Sequence, residues 1–148
     1  MKIETILKNI LKESDYKGSH KAPSNIDSPL YDLSNYYPDD FYSKNGLRYY
    51  GDSGNVNDTS DRESYSVMVS CRNQPNKMVK IYRAIPKDLS MEQQTINYGD
   101  WVTLSKNYAK HHGQVHLDNK FKVLSKIVPA KELFTDGNSI NEFGYNPS

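Results

Sequence analysis

A single cysteine, Cys71, among 148 residues excludes an internal disulfide framework and fits a reducing compartment, with no disulfide-linked partner. No apolar run approaches the ~20 residues of a membrane-spanning helix, and the first residues lack the apolar core of a secretion signal. Neither sign of charge prevails. With 19 basic and 18 acidic side chains the net charge is +1, so no global field gathers nucleic acid or an anionic membrane, and such binding would rest on a local patch. Internal repeats, low-complexity tracts and both common glycine-rich phosphate loops are also missing. What remains is one domain over 1–148, expected to act in the cytosol: mainly helix and loop over 1–75, and mainly β over 76–148.

The most informative stretch is GDWVTLSKNYAKHHG, from Gly99 to Gly113. A Gly-Asp turn leads into a β-like run, Trp101 to Leu104, and then at Ser105 into a helix-forming segment, Lys106 to His112, with Gly113 expected to end it. Thr103 and Ser105 sit at the junction. Alternate residues of a strand share a face, and a helix beginning just after them offers free N–H groups and a positive end to an anion, which makes a plausible wall of a nucleotide pocket. The plainer alternative is that Ser105 is the helix N-cap and Thr103 a β-branched strand former. His112 and His116 have the i, i+4 spacing of a zinc pair, but Gly113 stands where a metalloprotease has its glutamate, so no metal is expected.

Elsewhere the periodicity places elements around this stretch. Ile3, Ile6, Leu7, Ile10 and Leu11 mark an amphipathic helix over Met1–Glu13, followed by a loop from Asp15 to Ser34 that holds His20, either a ligand contact or simply solvated. Pro38 with Asp39 and Asp40 opens a short helix to Ser43. The tyrosines around it, Tyr31, Tyr36, Tyr37, Tyr42, Tyr49 and Tyr50, are mainly core, with one or two able to stack on a ligand. Ser60 to Glu63 fits a capping box, and the following helix places Tyr65, Met68 and Val69 on one face. Cys71 then reads as a small buried hydrophobe. Met78 to Pro86 is the clearest strand, and on it Arg83 shares a face with Val79, Ile81 and Ile85. A buried arginine needs an anion, which is either a structural carboxylate or a bound phosphate. Phe121 to Pro129 is a second strand, Ala130 to Phe134 a turn of helix, and Ser139 to Tyr145 a last strand carrying Glu142 between apolar or aromatic neighbours. Glu142 is either an edge-strand charge or part of a site.

Arg83, then Thr103 with Ser105, then Glu142 thus stand on successive predicted strands. In that order, IYRAIP, WVTLSKNYAKHH and VPAKELFTDGNSINEFGY resemble the arginine, serine, glutamate type of the ADP-ribosyltransferase superfamily. The earlier SHKAPS, SPLYDL and YPDDFY resemble ADP-ribosyltransferase-like domains encoded by bacteriophages, some within head-associated or injected proteins. The generic resemblance covers roughly the second half of the chain and the phage-like one nearly all of it. It implies an α+β fold, a split, mixed β-sheet core with an N-terminal helical lobe, that binds NAD as substrate and needs no metal. It further implies a mono-ADP-ribosyltransferase, a glycosyltransferase of host takeover in the bacterial cytoplasm, acting on a host protein or nucleic acid. Glu142 would be catalytic, Arg83 would hold phosphate or ribose oxygens, and Ser105, supported by Thr103, would fix the cleft, with His20 as a further cofactor contact. The alternatives are a non-catalytic anti-host binding protein that retains the fold, and a virion component.

Arginine-modifying members carry a second glutamate two positions before the catalytic one, where this chain has Ile140. An isoleucine neither attracts a guanidinium nor removes a proton. The favoured acceptor is therefore expected to be an amide, a hydroxyl, a nucleic-acid group or water. Efficient transfer of ADP-ribose from NAD to simple guanidino compounds, followed with labelled NAD, would contradict this.

Overall fold

The computed structural model describes residues 21–52 and 58–147. The helix expected over Met1–Glu13 and the candidate ligand contact His20 lie outside the described residues. The fold is α+β. In chain order it contains strand β1 (Ser28–Pro29), a 3-10 turn (Asp39–Tyr42), helices α1 (Lys44–Tyr50) and α2 (Ser60–Ser70), strands β2 (Met78–Pro86) and β3 (Trp101–Val102), helix α3 (Lys106–His116), and strands β4 (Phe121–Pro129), β5 (Leu133–Thr135) and β6 (Phe143–Tyr145).

β2 and β4 form a two-stranded sheet, paired residue for residue from Met78 with Pro129 to Pro86 with Phe121. Both have the bounds expected from the sequence, and in β2 it is the period of two that carries them. The other sheet runs β1-β5-β6-β3. An isolated bridge joins the two: the Tyr82 and Thr103 backbones exchange N–H···O bonds of 2.9 Å each way. The strands thus form two sheets linked by one bridge. The mixed core expected from the resemblance is not found, since every strand pairing among the described residues is antiparallel.

The core lies between the sheets and the helices that precede them. Leu30, Phe41, Met68, Ile81, Leu133 and Phe143 are all fully buried at 0 % exposure, each worth about 1.5–3 kcal/mol of transfer free energy. Of the tyrosines expected to be mainly core, Tyr37 is buried and Tyr42 and Tyr50 pack against the core, whereas Tyr36 and Tyr49 are exposed. Phe41 packs against Tyr37, Tyr42, Tyr50 and Tyr65 with ring centroids 4.8–5.1 Å apart, and burial pushes the Tyr37 hydroxyl up to about 12. Cys71 is buried with a free thiol, its pKa raised by that burial. Among the described residues no helix is long and apolar enough to cross a membrane.

Several boundaries differ from the sequence expectation for local reasons. The opening at Pro38 yields only the 3-10 turn, and Ser43 then caps a further helix, α1, by accepting from the Asn45 N–H at 3.2 Å. That helix, with Asn45 and Gly46 in its first turn, has no apolar period to announce it. The capping box at Ser60 is absent: Thr59 is the N-cap, Asp58 accepts from the Ser60 N–H at 3.0 Å, and the Glu63 carboxylate accepts from the Thr59 hydroxyl. Leu133 and Phe134 leave the turn Ala130–Glu132 and form β5. Ser139 to Asn141 form a turn rather than a strand, because the Ser139 Oγ accepts from the Asn141 N–H at 3.1 Å. Glu142 thus directly precedes β6.

Gly113 does not end α3, which continues to His116. The glycine is buried where the Phe121 ring lies against the helix, and a Cβ there would overlap that ring. Gly144 in β6 makes a similar close approach to a backbone group, the Pro23 carbonyl. Gly144→Ala should therefore cost about 1–3 kcal/mol through overpacking. Urea denaturation would show a lower midpoint with an unchanged slope.

Candidate active site

The site is assembled at the seam between the sheets. Thr103 bridges to Tyr82, and its Oγ1 accepts from the Ser105 N–H at 3.1 Å. The pair Val102 with Phe143 ends the β3–β6 ladder, and Glu142 directly precedes Phe143. Ser105 caps α3, its Oγ accepting from the Tyr108 N–H at 3.0 Å. Tyr108 then reaches back across the seam, and its hydroxyl donates to the Glu142 Oε1 at 2.7 Å. Thr103, Ser105 and Glu142 are thereby joined, with Tyr108 as the link. Thr103 and Ser105 are buried, at 4 % and 0 % exposure, whereas Glu142 is half-buried.

The anion expected at the start of α3 is present, and it belongs to the protein. Glu63 on α2 accepts from the Ser105 Oγ at 2.8 Å, from the Asn107 Nδ2 at 2.6 Å and from the Thr59 Oγ1 at 2.5 Å. Burial alone would raise its pKa, but the hydrogen bonds from Thr59, Ser105 and Asn107 outweigh burial and hold it below the usual carboxylate value. Ser105 is therefore the N-cap of the plainer reading and also a tie to α2. The same helix grips the residue before Glu142: the Ser64 Oγ donates to the Asn141 Oδ1 at 2.7 Å, and the Asn141 Nδ2 donates to the Asp61 Oδ1 at 2.7 Å.

Arg83 occupies the other side of β2, with Val79, Ile81 and Ile85, as its alternation predicts. Its side chain is 11 % exposed and its Nε lies 3.8 Å from the Asp100 Oδ2, while its Nη1 donates to the Trp101 carbonyl at 2.8 Å. Burial lowers the guanidinium pKa and the Asp100 charge opposes that shift. Of the anions left open by the sequence, the structure supplies the carboxylate. The rings of His112 and His116 lie 4.5 Å apart. Among the described residues no group of three or more His, Cys, Asp or Glu is placed to hold a metal ion.

Glu63, Tyr108, Asp100 and Asn141 were not legible as site residues. Asp100 carried a signal, since it alternates with Val102 and Leu104 and so breaks an apolar face as Arg83 does. Glu63 was hidden by a local motif that explained it sufficiently. Tyr108 and Asn141 gave no sign in one dimension.

Compared with known proteins, the chain matches no family model, no curated protein and no solved structure.

Burial, with the charges of His116 and Arg83, depresses His112 to about 4. In the unfolded chain it titrates near 6.5, so between pH 6.5 and 4 the unfolded state binds more protons and stability falls as pH falls. His112 is partly solvated, which limits its share to about 1 kcal/mol at pH 5. His112→Gln should remove that share, seen as a smaller stability difference between pH 7 and pH 5 in urea unfolding.

Proposed function

We propose that this chain is a phage-type mono-ADP-ribosyltransferase that cleaves NAD at the nicotinamide–ribose bond and transfers ADP-ribose to a host macromolecule. The observation that carries this reading is Glu142: a half-buried carboxylate directly before β6, oriented by the Tyr108 hydroxyl at 2.7 Å. Breaking the bond between nicotinamide and C1′ of the ribose develops oxocarbenium-like charge on the sugar, and a preorganised carboxylate stabilises that charge. Ser105 acts on this carboxylate through Tyr108, whose N–H it caps. Arg83, paired with Asp100, brings a buried cation to the strand next to Thr103. Ile140 packs against the hydrophobic core, which leaves no carboxylate at that position to attract a guanidinium. On this reading the protein works in the cytoplasm of a bacterial host, on a protein or nucleic-acid target.

A second reading is favoured by a specific observation. The Arg83 guanidinium and the start of α3 both have internal carboxylates, Asp100 and Glu63, as expected where the fold is kept for binding a host partner rather than a dinucleotide.

Incubation of the purified protein with labelled NAD and a bacterial lysate separates the two. Wild type should label a protein or nucleic-acid fraction, and Glu142→Gln should reduce the rate by about 10²–10³. Free ADP-ribose without a labelled acceptor would point to NAD hydrolysis, or to a target missing from the lysate. No binding and no turnover of NAD would remove the enzyme and favour the binding protein.

A further inference from the structure

The proposed chemistry asks for a carboxylate held still, and the seam contains the means of holding it. Helix α2 reaches Glu142 by two routes. Along one, Glu63 ties Ser105 and Asn107 of the α3 start, Ser105 fixes the Tyr108 N–H, and the Tyr108 hydroxyl donates to the Glu142 Oε1. Along the other, Asp61 and Ser64 clasp Asn141, the backbone neighbour of Glu142.

We infer that Tyr108 is the positioning residue of Glu142, with the acidic first turn of α2 as the anchor that sets where Tyr108 stands. A glutamate side chain has three rotatable bonds and would otherwise lose much of its preorganisation to rotamer freedom. The phenol suits the task, because its ring is rigid, its hydroxyl donates a single proton, and a bond to an ionised acceptor is about twice as strong as a neutral one. Tyr108 begins only three residues after Ser105, so the capped first turn of α3 leaves its ring little choice of direction. Asn107, by contrast, points to Glu63. The inference rests on the reading of Glu142 as the catalytic carboxylate, but the tie itself can be measured without substrate.

In urea unfolding, Tyr108→Phe and Glu142→Ala should each raise the unfolding constant about tenfold, and the double variant no more than the worse single. A double variant near the hundredfold product of the two would overturn the tie; if Glu142→Ala does not fold, Glu142→Gln replaces it in the cycle. In nicotinamide release from NAD, Tyr108→Phe should lower kcat about tenfold or more, leave KM within about twofold, and add nothing to Glu142→Gln. A change in KM alone, or wild-type kinetics in Tyr108→Phe while Glu142→Gln is inactive, overturns the positioning role and leaves the proposed function standing. Energetic coupling in the cycle, with no NAD turnover by wild type, supports the tie and removes the proposed function.

Discussion

The two backbone hydrogen bonds between Tyr82 and Thr103 are the joint on which the rest of the molecule depends. They connect the β2–β4 pair to the four-stranded sheet through Thr103, the residue that follows β3. Two such bonds contribute only about 0.5–1.5 kcal/mol each. The joint is held by what flanks it: Ile81, Val102 and Phe143, exposed by 0 %, 4 % and 0 %, are buried on the sheet next to the bridge. Hydrogen bonding sets the register and apolar burial supplies the stability.

Around the joint, charge is balanced from within. Arg83 would be costly on a buried face without an anion, and Asp100 supplies one from the turn before β3. The start of α3 presents unpaired N–H groups and a positive dipole end, and Glu63 arrives from α2 to meet them. Both solutions use residues from other elements, so they also fasten those elements together. Glu63 and its neighbours Asp61 and Ser64 make α2 the element that ties the helical region before β2 to the strands after it.

Legibility in the sequence varied from element to element. β2 and β4 were readable to the residue, β2 because its alternation is sustained over nine residues and β4 because it is a β-prone run. The helix after Ser105 was readable in its start and misread in its end: Gly113 looks like a stop signal until Phe121, eight positions further on, is seen to need its missing side chain. The strand expected over Ser139 to Tyr145 shrank to Phe143–Tyr145, as a serine turn competed successfully for the first residues. Arg83 and Glu142 stood out by breaking apolar patterns. Glu63 did not, for a capping motif accounted for it locally.

The sequence by itself determined the α+β class, the long strands, the hydroxyl-bearing entry to α3 and the candidates Arg83, Thr103, Ser105 and Glu142, since each is written in periodicity or in a break of it. Tertiary structure alone decided their partners. Which carboxylate meets Ser105, which meets Arg83 and which hydroxyl holds Glu142 depend on contacts between residues up to 42 positions apart. No period records such distances, because a hydrogen bond selects its partner by position in space, and only the packed helices and the joined sheets bring these groups within reach.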